Sequence, residues 1–406
     1  MRILNVSAQK PHSTGSGVYL SQLVHSFAIA GHEQAVVGGV FADDSVNFPE
    51  GVAWYPVVFR TEELPFPVCG MSDEMPYPST RYRDMTPQMV VQFKAAFLRV
   101  VGRAVAEFKP DIILVHHLYL LAATIREAFP EACVLGICHG TCLRQLNTNP
   151  LCREWIMAQV AKLDHIFALH EEQRRRVLDV FGVPEERVSV LGAGYNAREF
   201  VRLPESVRAH EGLQLTFVGK VAEKKGIFSL LRALRQLPFA TDGLRVILAG
   251  GHNARDIATV RELAAEVPYP VEIPGMVSQE DLIALLNRTD AFVLPSFYEG
   301  LPLVLAEAMA CGARVVCTDL PGVRPWMDGH VPGNGILWVA PPDMVGTDTP
   351  NEASLPAFEE RLAKAIAAAL AEAQVGEPFA PDLSRVSWDG VAACIVACAE
   401  GLVSRN

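Results

Sequence analysis

The 406-residue sequence lacks several features that would place it in a common class. No apolar run approaches the roughly 20 residues that a membrane-spanning helix needs. The first six residues, MRILNV, are followed by neither a long apolar region nor a cleavage site of the kind that signal peptides carry. Low-complexity segments and internal repeats are also missing. We therefore expect a globular protein without an integral membrane segment.

Positive charge is scarce as well, because 35 Lys and Arg residues face 46 Asp and Glu residues, for a net charge of −11. This balance argues against nucleic acid or an anionic membrane as the main partner, although it leaves peripheral membrane contact open. The nine cysteines are scattered and odd in number, with no disulfide framework. Reduced thiols and a cytoplasmic location are the expectation.

Metal-binding patterns are absent from the sequence. The pairs Cys138/Cys142 and Cys394/Cys398 have a spacing that could suit a metal, but no further His or Cys cluster completes either pair. Asp43 and Asp44 are adjacent and do not form an Asp-x-Asp motif. We expect neither a metal nor another cofactor.

What the sequence does contain is a regular alternation of short apolar runs with helical patterns. This alternation is typical of parallel, doubly wound α/β sheets, and the length allows two domains. A polar segment from Arg202 to Glu205 suggests a boundary, so we predict domains at residues 1–203 and 204–384 and a final helical segment at 385–406. The predicted strands fall within residues 2–7, 34–40, 52–58, 111–117, 132–138, 165–170 and 188–191, and then 213–219, 244–249, 271–277, 291–295 and 313–318.

The most informative stretch is SFYEGLPLVLAEAMACG at residues 296–312, which follows a predicted buried strand. Pro302 suits the first position of a helix and Gly312 suits its exit. Glu299 then lies on the loop, and Glu307 about a turn and a half inside the helix. Ligands bind at the carboxyl ends of parallel strands, and helix N-termini attract anions. Two carboxylates around such an anion site suit a ligand with hydroxyls at both ends and phosphates between, which describes a nucleotide-sugar.

This string resembles the Glu-x7-Glu signature of retaining GT-B glycosyltransferases of family four, also called glycosyltransferase group 1. Glu299 and Glu307 have its spacing, and Ala-Met-Ala-Cys-Gly follows as usual. The resemblance implies an α/β GT-B fold, with two Rossmann-like doubly wound domains facing across a cleft. It also implies that the helix within residues 385–406 returns to the first domain, and that closure of the domains excludes water.

The same family commonly has an Arg and then a Lys-Gly after the first strand of its second domain. Here Lys220 takes the place of the Arg, and Lys225 precedes Gly226. Two cations suit a departing nucleoside diphosphate, whose bridging oxygen gains negative charge. A merely solvated, charged loop is the alternative.

The resemblance implies a role for each of several further residues. Glu307 would bind the ribose hydroxyls, and Glu299 and Lys225 would act at the reacting centre. The remaining donor-binding positions are Gly219 at the end of the first strand, Met276 and Val277 beside the base, and Gly300, Leu301 and Leu303 at the sugar and phosphate.

Two residues of the first domain complete the predicted site. Gly17 ends a Gly-rich turn between a strand and a helix, a loop that faces the donor diphosphate and the acceptor in the family; on the residues alone, a plain tight turn is as good an interpretation. His139 lies just past a strand end, and the resemblance places it beside the donor sugar. His116 and His117 end the preceding strand, where a structural role is favoured.

We therefore predict a retaining, metal-independent hexosyltransferase that moves a sugar from a nucleotide-sugar, preferably a UDP-sugar, to a hydroxyl of a small molecule or glycan. Residues 60–87, which are rich in proline and aromatic residues, form an insertion that either covers the acceptor side or is only structural. The alternatives are a sugar epimerase or phosphorylase of the same fold and a catalytically silent nucleotide-binding partner. The sequence leaves the oligomeric state open.

Overall fold

A computed structural model describes residues 1–72, 75–252, 254–299, 301–346, 349–375 and 379–404. The chain forms two compact units. The first contains Met1–Ala193 together with the segment that begins at Trp388, and the second contains Gly194–Ser387.

Both units are built from parallel strands and covering helices, as the alternation in the sequence predicts. The strands are β1 (Arg2–Ser7), β2 (Glu33–Val40), β3 (Ala53–Val58), β4 (Cys69–Gly70), β5 (Thr80–Arg81), β6 (Ile112–His116), β7 (Val134–Ile137), β8 (His165–Ala168), β9 (Val188–Val190), β10 (Leu213–Val218), β11 (Leu244–Ala249), β12 (Val271–Gly275), β13 (Ala291–Leu294), β14 (Arg314–Thr318) and β15 (Leu337–Val339). The helices are α1 (Gly15–Ile29), α2 (Pro87–Phe108), α3 (Leu120–Ala128), α4 (Thr141–Thr148), α5 (Arg153–Val160), α6 (Glu171–Phe181), α7 (Glu205–Arg208), α8 (Ile227–Leu234), α9 (Ala254–Ala265), α10 (Gln279–Asn287), α11 (Val304–Ala310), α12 (Arg324–His330), α13 (Leu355–Val375) and α14 (Trp388–Val403).

The first unit contains a seven-stranded parallel sheet in the order β3-β2-β1-β6-β7-β8-β9. The chain winds outward from β1 to β3 and then returns to β6 on the other side of β1. The strand order therefore reverses between β1 and β6. At such a switch point the loops that follow the two central strands diverge and leave a crevice at the carboxyl edge of the sheet.

The second unit repeats this plan with six parallel strands in the order β12-β11-β10-β13-β14-β15. Its switch point lies between β10 and β13. The loops after these two strands carry Lys220, Lys225 and Glu299, so the topology alone brings the predicted cations and carboxylate to one edge of the sheet. The two predicted Rossmann-like sheets are confirmed.

The core of the first unit follows from the alternation of side chains along β1. Leu4 and Val6 point to one face of the sheet, where they join a large buried cluster that includes Phe93 and Phe97 of α2. On the other side, α1 packs on the strands through Leu20 and is itself covered by α14. The helix at the end of the chain is thus part of the first unit.

Several elements differ from the sequence-based prediction. The amphipathic pattern of residues 279–287 predicts a helix with the bounds that α10 has, whereas α4 is not among the predicted helices, because its sequence TCLRQLNT is short and polar overall. Pro302 is not the first helical residue as predicted, since α11 begins at Val304 after an N-cap at Leu303. Glu307 consequently lies in the first turn of α11 and not a turn and a half inside it.

The chain passes from one unit to the other at residues 193/194 and 387/388, whereas the sequence pattern predicts boundaries at 203/204 and 384/385. The polar segment before residue 204 is held by the second unit. Asn287 of α10 accepts a hydrogen bond from Leu203 N at 2.7 Å and donates one to Val201 O at 3.0 Å. Tyr195 N donates to Val386 O at 2.9 Å, so the two connecting segments are joined to each other.

The segment at residues 60–87 is packed into the first unit in the parts that the structure describes. It contains the short strands β4 and β5 and a 3₁₀ turn at Tyr82–Asp84. Side chains such as Leu64, Val68 and Tyr82 are buried in the main core. No helix in the described parts of the chain is both long and apolar enough to cross a bilayer.

Candidate active site

In the second unit, the loops that follow β10 and β13 approach each other closely. A 3₁₀ turn at Glu223–Lys225 leads to Gly226, which has a positive φ of 69°. A Cβ at this position would lie 2.0 Å from Pro295 O, so only glycine allows the two loops to approach this closely. This approach sets Lys225 opposite Glu299.

Lys225 and Glu299 form a two-pronged ion pair. Lys225 Nζ lies 2.8 Å from both Oε1 and Oε2 of Glu299. Ser296, which is fully buried, donates from Oγ to Glu299 Oε1 at 2.6 Å. The Glu299 side chain is 12% exposed and that of Lys225 is 29% exposed, so both groups remain accessible to a ligand. Ser296 was not predicted as a site residue, although its place two residues after β13 could have suggested it.

Glu307 differs from Glu299 because the described residues offer its carboxyl no hydrogen bond or ion pair. It is largely buried in the first turn of α11. This burial raises its pKa from the ordinary 4.5 to about 7. A carboxyl in this state gains most from a ligand with hydroxyl donors, because such hydrogen bonds favour the ionised form.

The remaining predicted donor-binding residues lie at the same carboxyl edge. A Cβ on Gly250 would lie 1.8 Å from Gly219 O, so these two glycines let the ends of β10 and β11 touch. Lys220 is exposed and has no ion-pair partner within the described ranges. Met276 follows β12 and is 84% exposed, and Val277 is half-buried.

Leu301 and Leu303 are half-buried in the segment before α11. Gly300, which was predicted to contribute its amide, lies outside the described residues. Phe297 N donates to Lys224 O at 3.3 Å, which adds a backbone link between the loops after β13 and β10.

In the first unit, Gly17 lies in the first turn of α1. Its N–H donates to Oγ1 of the N-cap Thr14 at 3.1 Å. A Cβ on Gly17 would lie 2.6 Å from Lys10 O, so glycine is needed here for packing against the loop after β1. The Gly17 amide therefore already has a partner in the protein, and its predicted approach to a phosphate stays a prediction.

His139 lies two residues after β7 and belongs to a cluster of three histidines. Its Nε2 is 3.2 Å from Nδ1 of His116, and the two rings stack with centroids 5.4 Å apart at 11°. The ring centroids of His117 and His139 are 4.7 Å apart, and Tyr19 of α1 meets His139 edge-on at 5.1 Å. Burial lowers the pKa of His139 well below 6.5, with further lowering by His117 and His116.

Gln9 links this cluster to α1, although no motif in the sequence indicates a role for it. Gln9 Oε1 accepts hydrogen bonds from His117 Nε2 at 3.0 Å and from Ser16 Oγ at 2.8 Å. His117 adopts a positive φ of 71°, which is uncommon for a residue other than glycine and is found at functional sites. The position of Gln9 just after β1, beside the switch point, is the signal that could have found it.

No group of three or more His, Cys, Asp or Glu side chains in the described part of the chain is arranged to hold a metal ion.

Comparisons with known proteins identify the family and the fold. Residues 14–194 match the model of the glycosyl transferase 4-like domain, and residues 203–344 match that of glycosyl transferases group 1. An uncharacterised glycosyltransferase of Methanocaldococcus jannaschii is 29% identical over 44% of this chain and 48% of its own length. The amylovoran biosynthesis glycosyltransferase AmsK of Erwinia amylovora is 26% identical over 58% of each chain. The matches thus span about half the length of these curated relatives.

Among solved structures, the Anabaena protein HepE in complex with UDP is similar in fold. The TM-score is 0.61 at 14% identity, over 99% of this chain and 100% of that one. A second structure of HepE contains UDP and glucose, with a TM-score of 0.58 at 15% identity over 99% of this chain and 100% of that one. Each unit is mostly covered by one of these two family models, and the fold agrees. This chain therefore belongs to the group 1, or family four, glycosyltransferases of the GT-B fold.

Proposed function

We propose that this glycosyltransferase transfers a hexosyl residue, with retention at the anomeric carbon, from a nucleotide-sugar held by the second unit to a hydroxyl acceptor. The observation that carries the proposal is the contact of Lys225 Nζ with both carboxylate oxygens of Glu299 at the switch point. It places a cation and a hydrogen-bond acceptor side by side, as the diphosphate and the sugar of one donor require.

Lysines supply the charge that the leaving group needs in this proposal. The bridging oxygen of the diphosphate gains negative charge as the glycosidic bond breaks, and fixed cations lower the energy of that state. Lys225 would turn from Glu299 toward the phosphate, and Lys220, which has no ion-pair partner among the described residues, would add a second charge. Metal-independent transfer is part of the proposal, so activity should survive dialysis against EDTA.

Glu307 is the proposed ribose contact. Its carboxyl is largely buried and lacks a partner in the described part of the chain, whereas ribose offers two adjacent hydroxyl donors. The complexes of the structurally similar HepE with UDP support uracil as the base of the donor. The exposed Met276 and the half-buried Val277 would lie along the base.

Glu299 would orient the donor sugar by accepting hydrogen bonds from its hydroxyls. Ser296 would keep this carboxylate in place after Lys225 turns to the phosphate, which suits orientation better than nucleophilic attack. The leaving phosphate would then take the acceptor proton on the same face, and retention follows. The product's anomeric configuration, measured by NMR, tests this part directly.

A thermal-shift panel of UDP, GDP, ADP and their sugar conjugates tests the donor class. A ligand at about 100 times its dissociation constant should stabilise the protein by roughly 2.7 kcal/mol. One base giving a clear shift supports the proposal. No shift with any nucleotide would favour the phosphorylase alternative, and interconversion of free nucleotide-sugars would favour an epimerase.

Two variants test the site assignment. Lys225→Ala should weaken nucleoside diphosphate binding, because it removes a phosphate contact. Glu299→Gln should lower turnover at least tenfold while the nucleotide still binds, since the amide loses an acceptor for sugar hydroxyls.

The matched control is the exposed pair Lys364 and Glu360 on α13, whose charged atoms are 2.6 Å apart. Lys364→Ala and Glu360→Gln remove the same groups away from the site and should change neither binding nor turnover. Normal activity of both site variants would refute the assignment.

A further inference from the structure

The contact between His116 and His139 also determines which ring nitrogen of each histidine carries the proton. His116 is the last residue of β6, and His139 follows the neighbouring strand β7; in the sheet register His116 lies beside Ile137. The 3.2 Å separation of His116 Nδ1 and His139 Nε2 is a hydrogen bond. One of these two nitrogens therefore donates a proton and the other accepts it.

Both rings are neutral at ordinary pH. His116 is 1% exposed, and burial lowers its pKa to about 3, with a further contribution from His117. The pKa of His139 is also lowered well below its usual value. Each ring consequently has a single N–H, and the proton in the shared hydrogen bond fixes the tautomer of both rings.

The other nitrogen of His116 decides which ring donates. His116 Nε2 is buried, and the described residues provide it with no hydrogen-bond partner. A buried N–H without an acceptor is rarer in folded proteins than a buried acceptor without a donor. The proton of His116 is thus on Nδ1, from which it donates to His139 Nε2.

The tautomer of His139 follows from this assignment. Since its Nε2 accepts, its own proton is on Nδ1. No hydrogen bond to that nitrogen is found within the described ranges, and the His139 side chain is partly exposed. Tyr19 fixes the ring from a second side, because its OH donates to Gly192 O at 2.9 Å and its ring meets His139 edge-on.

We propose that His116 is a positioning residue that holds His139 as the Nδ1–H tautomer, so that His139 offers a hydrogen-bond donor to an oxygen of a bound sugar and does not act as a base. The role at the sugar rests on the proposed function, whereas the tautomer does not. The Nε2 lone pair of His139 is engaged by His116 and is not available to accept a proton from an acceptor hydroxyl.

Two near-isosteric variants of His116 separate this role from simple packing. The amide nitrogen of asparagine lies near the position of His Nδ1, and that of glutamine near His Nε2. His116→Asn therefore keeps a donor to His139 and should retain kcat/KM within about threefold. His116→Gln loses that donor, and kcat/KM should fall about tenfold. The control is His165→Gln on β8. His165 Nε2 lies 2.8 Å from Ser189 Oγ, and the amide nitrogen of glutamine would lie near the same place, so this variant should leave kcat/KM unchanged.

The wild-type protein provides a test that needs no variant to fold. ¹⁵N NMR distinguishes the two neutral tautomers of histidine, and we expect His139 protonated at Nδ1 and His116 protonated at Nδ1. Protonation of His139 at Nε2 would overturn the proposal, as would equal losses in His116→Asn and His116→Gln when both variants fold. If no sugar transfer is found at all, the proposed function fails, while the NMR result still decides the tautomer.

Discussion

At the scale of single residues, the two glutamates of the signature have opposite surroundings. Glu299 is bonded by Lys225 and Ser296, whereas Glu307 has no partner among the described residues and its pKa is raised by burial to about 7. The sequence alone therefore does not distinguish the two glutamates, although their electrostatic surroundings differ. The Glu299 carboxyl is held in place before any ligand binds, whereas burial makes the Glu307 carboxyl retain its proton to a higher pH.

This difference predicts a pH dependence of nucleotide binding. In the proposed function, ribose hydroxyls donate to the ionised form of Glu307, so affinity for a nucleoside diphosphate should increase as pH rises from about 6 to 8. Calorimetric titration of wild type and Glu307→Gln at several pH values tests this. The variant should show a weaker and flatter dependence over this range. A wild-type slope that persists unchanged in Glu307→Gln would show that another group is responsible.

The raised pKa of Glu307 also predicts that the free energy of unfolding decreases as pH rises, whereas nucleotide affinity increases. Between pH 4.5 and 7 the folded protein keeps a proton on Glu307 that the unfolded chain releases. The contribution to the free energy of unfolding is therefore complete below about pH 4.5 and is lost as pH rises through 7. The rise of the Glu307 pKa from 4.5 to about 7 corresponds to about 3 kcal/mol at most. Urea unfolding at pH 5 and pH 8 should show Glu307→Gln gaining stability relative to wild type at the higher pH.

At the scale of elements, the site depends on how closely the loops after β10 and β13 approach. Gly226 permits this contact, since a Cβ there would lie 2.0 Å from Pro295 O at a φ of 69°. Gly226→Ala should force the loops apart, lower the free energy of unfolding by at least about 2 kcal/mol, and separate Lys225 from Glu299. We expect a loss of nucleotide binding that exceeds the loss of stability alone.

A second glycine provides the control for this prediction. Gly102 lies inside α2, and a Cβ there would meet nothing within 4 Å. Gly102→Ala should therefore stabilise the protein by about 0.5–1 kcal/mol, because alanine favours a helix. Chemical denaturation measures both variants. Equal stabilities of Gly226→Ala and wild type would contradict the close approach.

The sequence predicts the elements better than their contacts. Periodicity and strand length place α10 and most strands correctly, since buried parallel strands are short apolar runs. Helix α4 is short and polar overall, and Pro302 satisfies the rule for a helix start two residues before α11 begins. Local sequence rules allow helix or loop at α4 and more than one starting residue for α11, and tertiary packing decides between these alternatives.

In the candidate site, too, the sequence predicts the residues better than their contacts. Lys225 and Glu299 are 74 residues apart, and only the order of the strands brings them within 2.8 Å. The sequence favours a structural role for His116, because its hydrogen bond to His139 spans 23 residues and leaves no pattern in the sequence. The motif thus identifies candidate residues, whereas the state of each depends on neighbours that the sequence does not reveal.

At the scale of the whole molecule, the two units differ in how the chain builds them. The second unit is one continuous segment, Gly194–Ser387, and it contains the four charged residues proposed to bind the donor, Lys220, Lys225, Glu299 and Glu307. The first unit needs both ends of the chain, because α14 covers α1 through buried side chains such as Val391 and Ile395. The units should therefore respond differently when they are expressed separately.

We predict that residues 194–387 alone fold and bind the nucleoside diphosphate within about tenfold of the full chain, because the proposed donor contacts lie inside this segment. Sugar transfer should be absent, since His139 belongs to the first unit. Residues 1–193 alone should be poorly folded, as the face of α1 that packs against α14 would be exposed to water. Circular dichroism and calorimetry of the two fragments test these outcomes, with the full chain as reference. A folded second unit that fails to bind any nucleotide bound by the full chain would show that donor binding requires residues of the first unit.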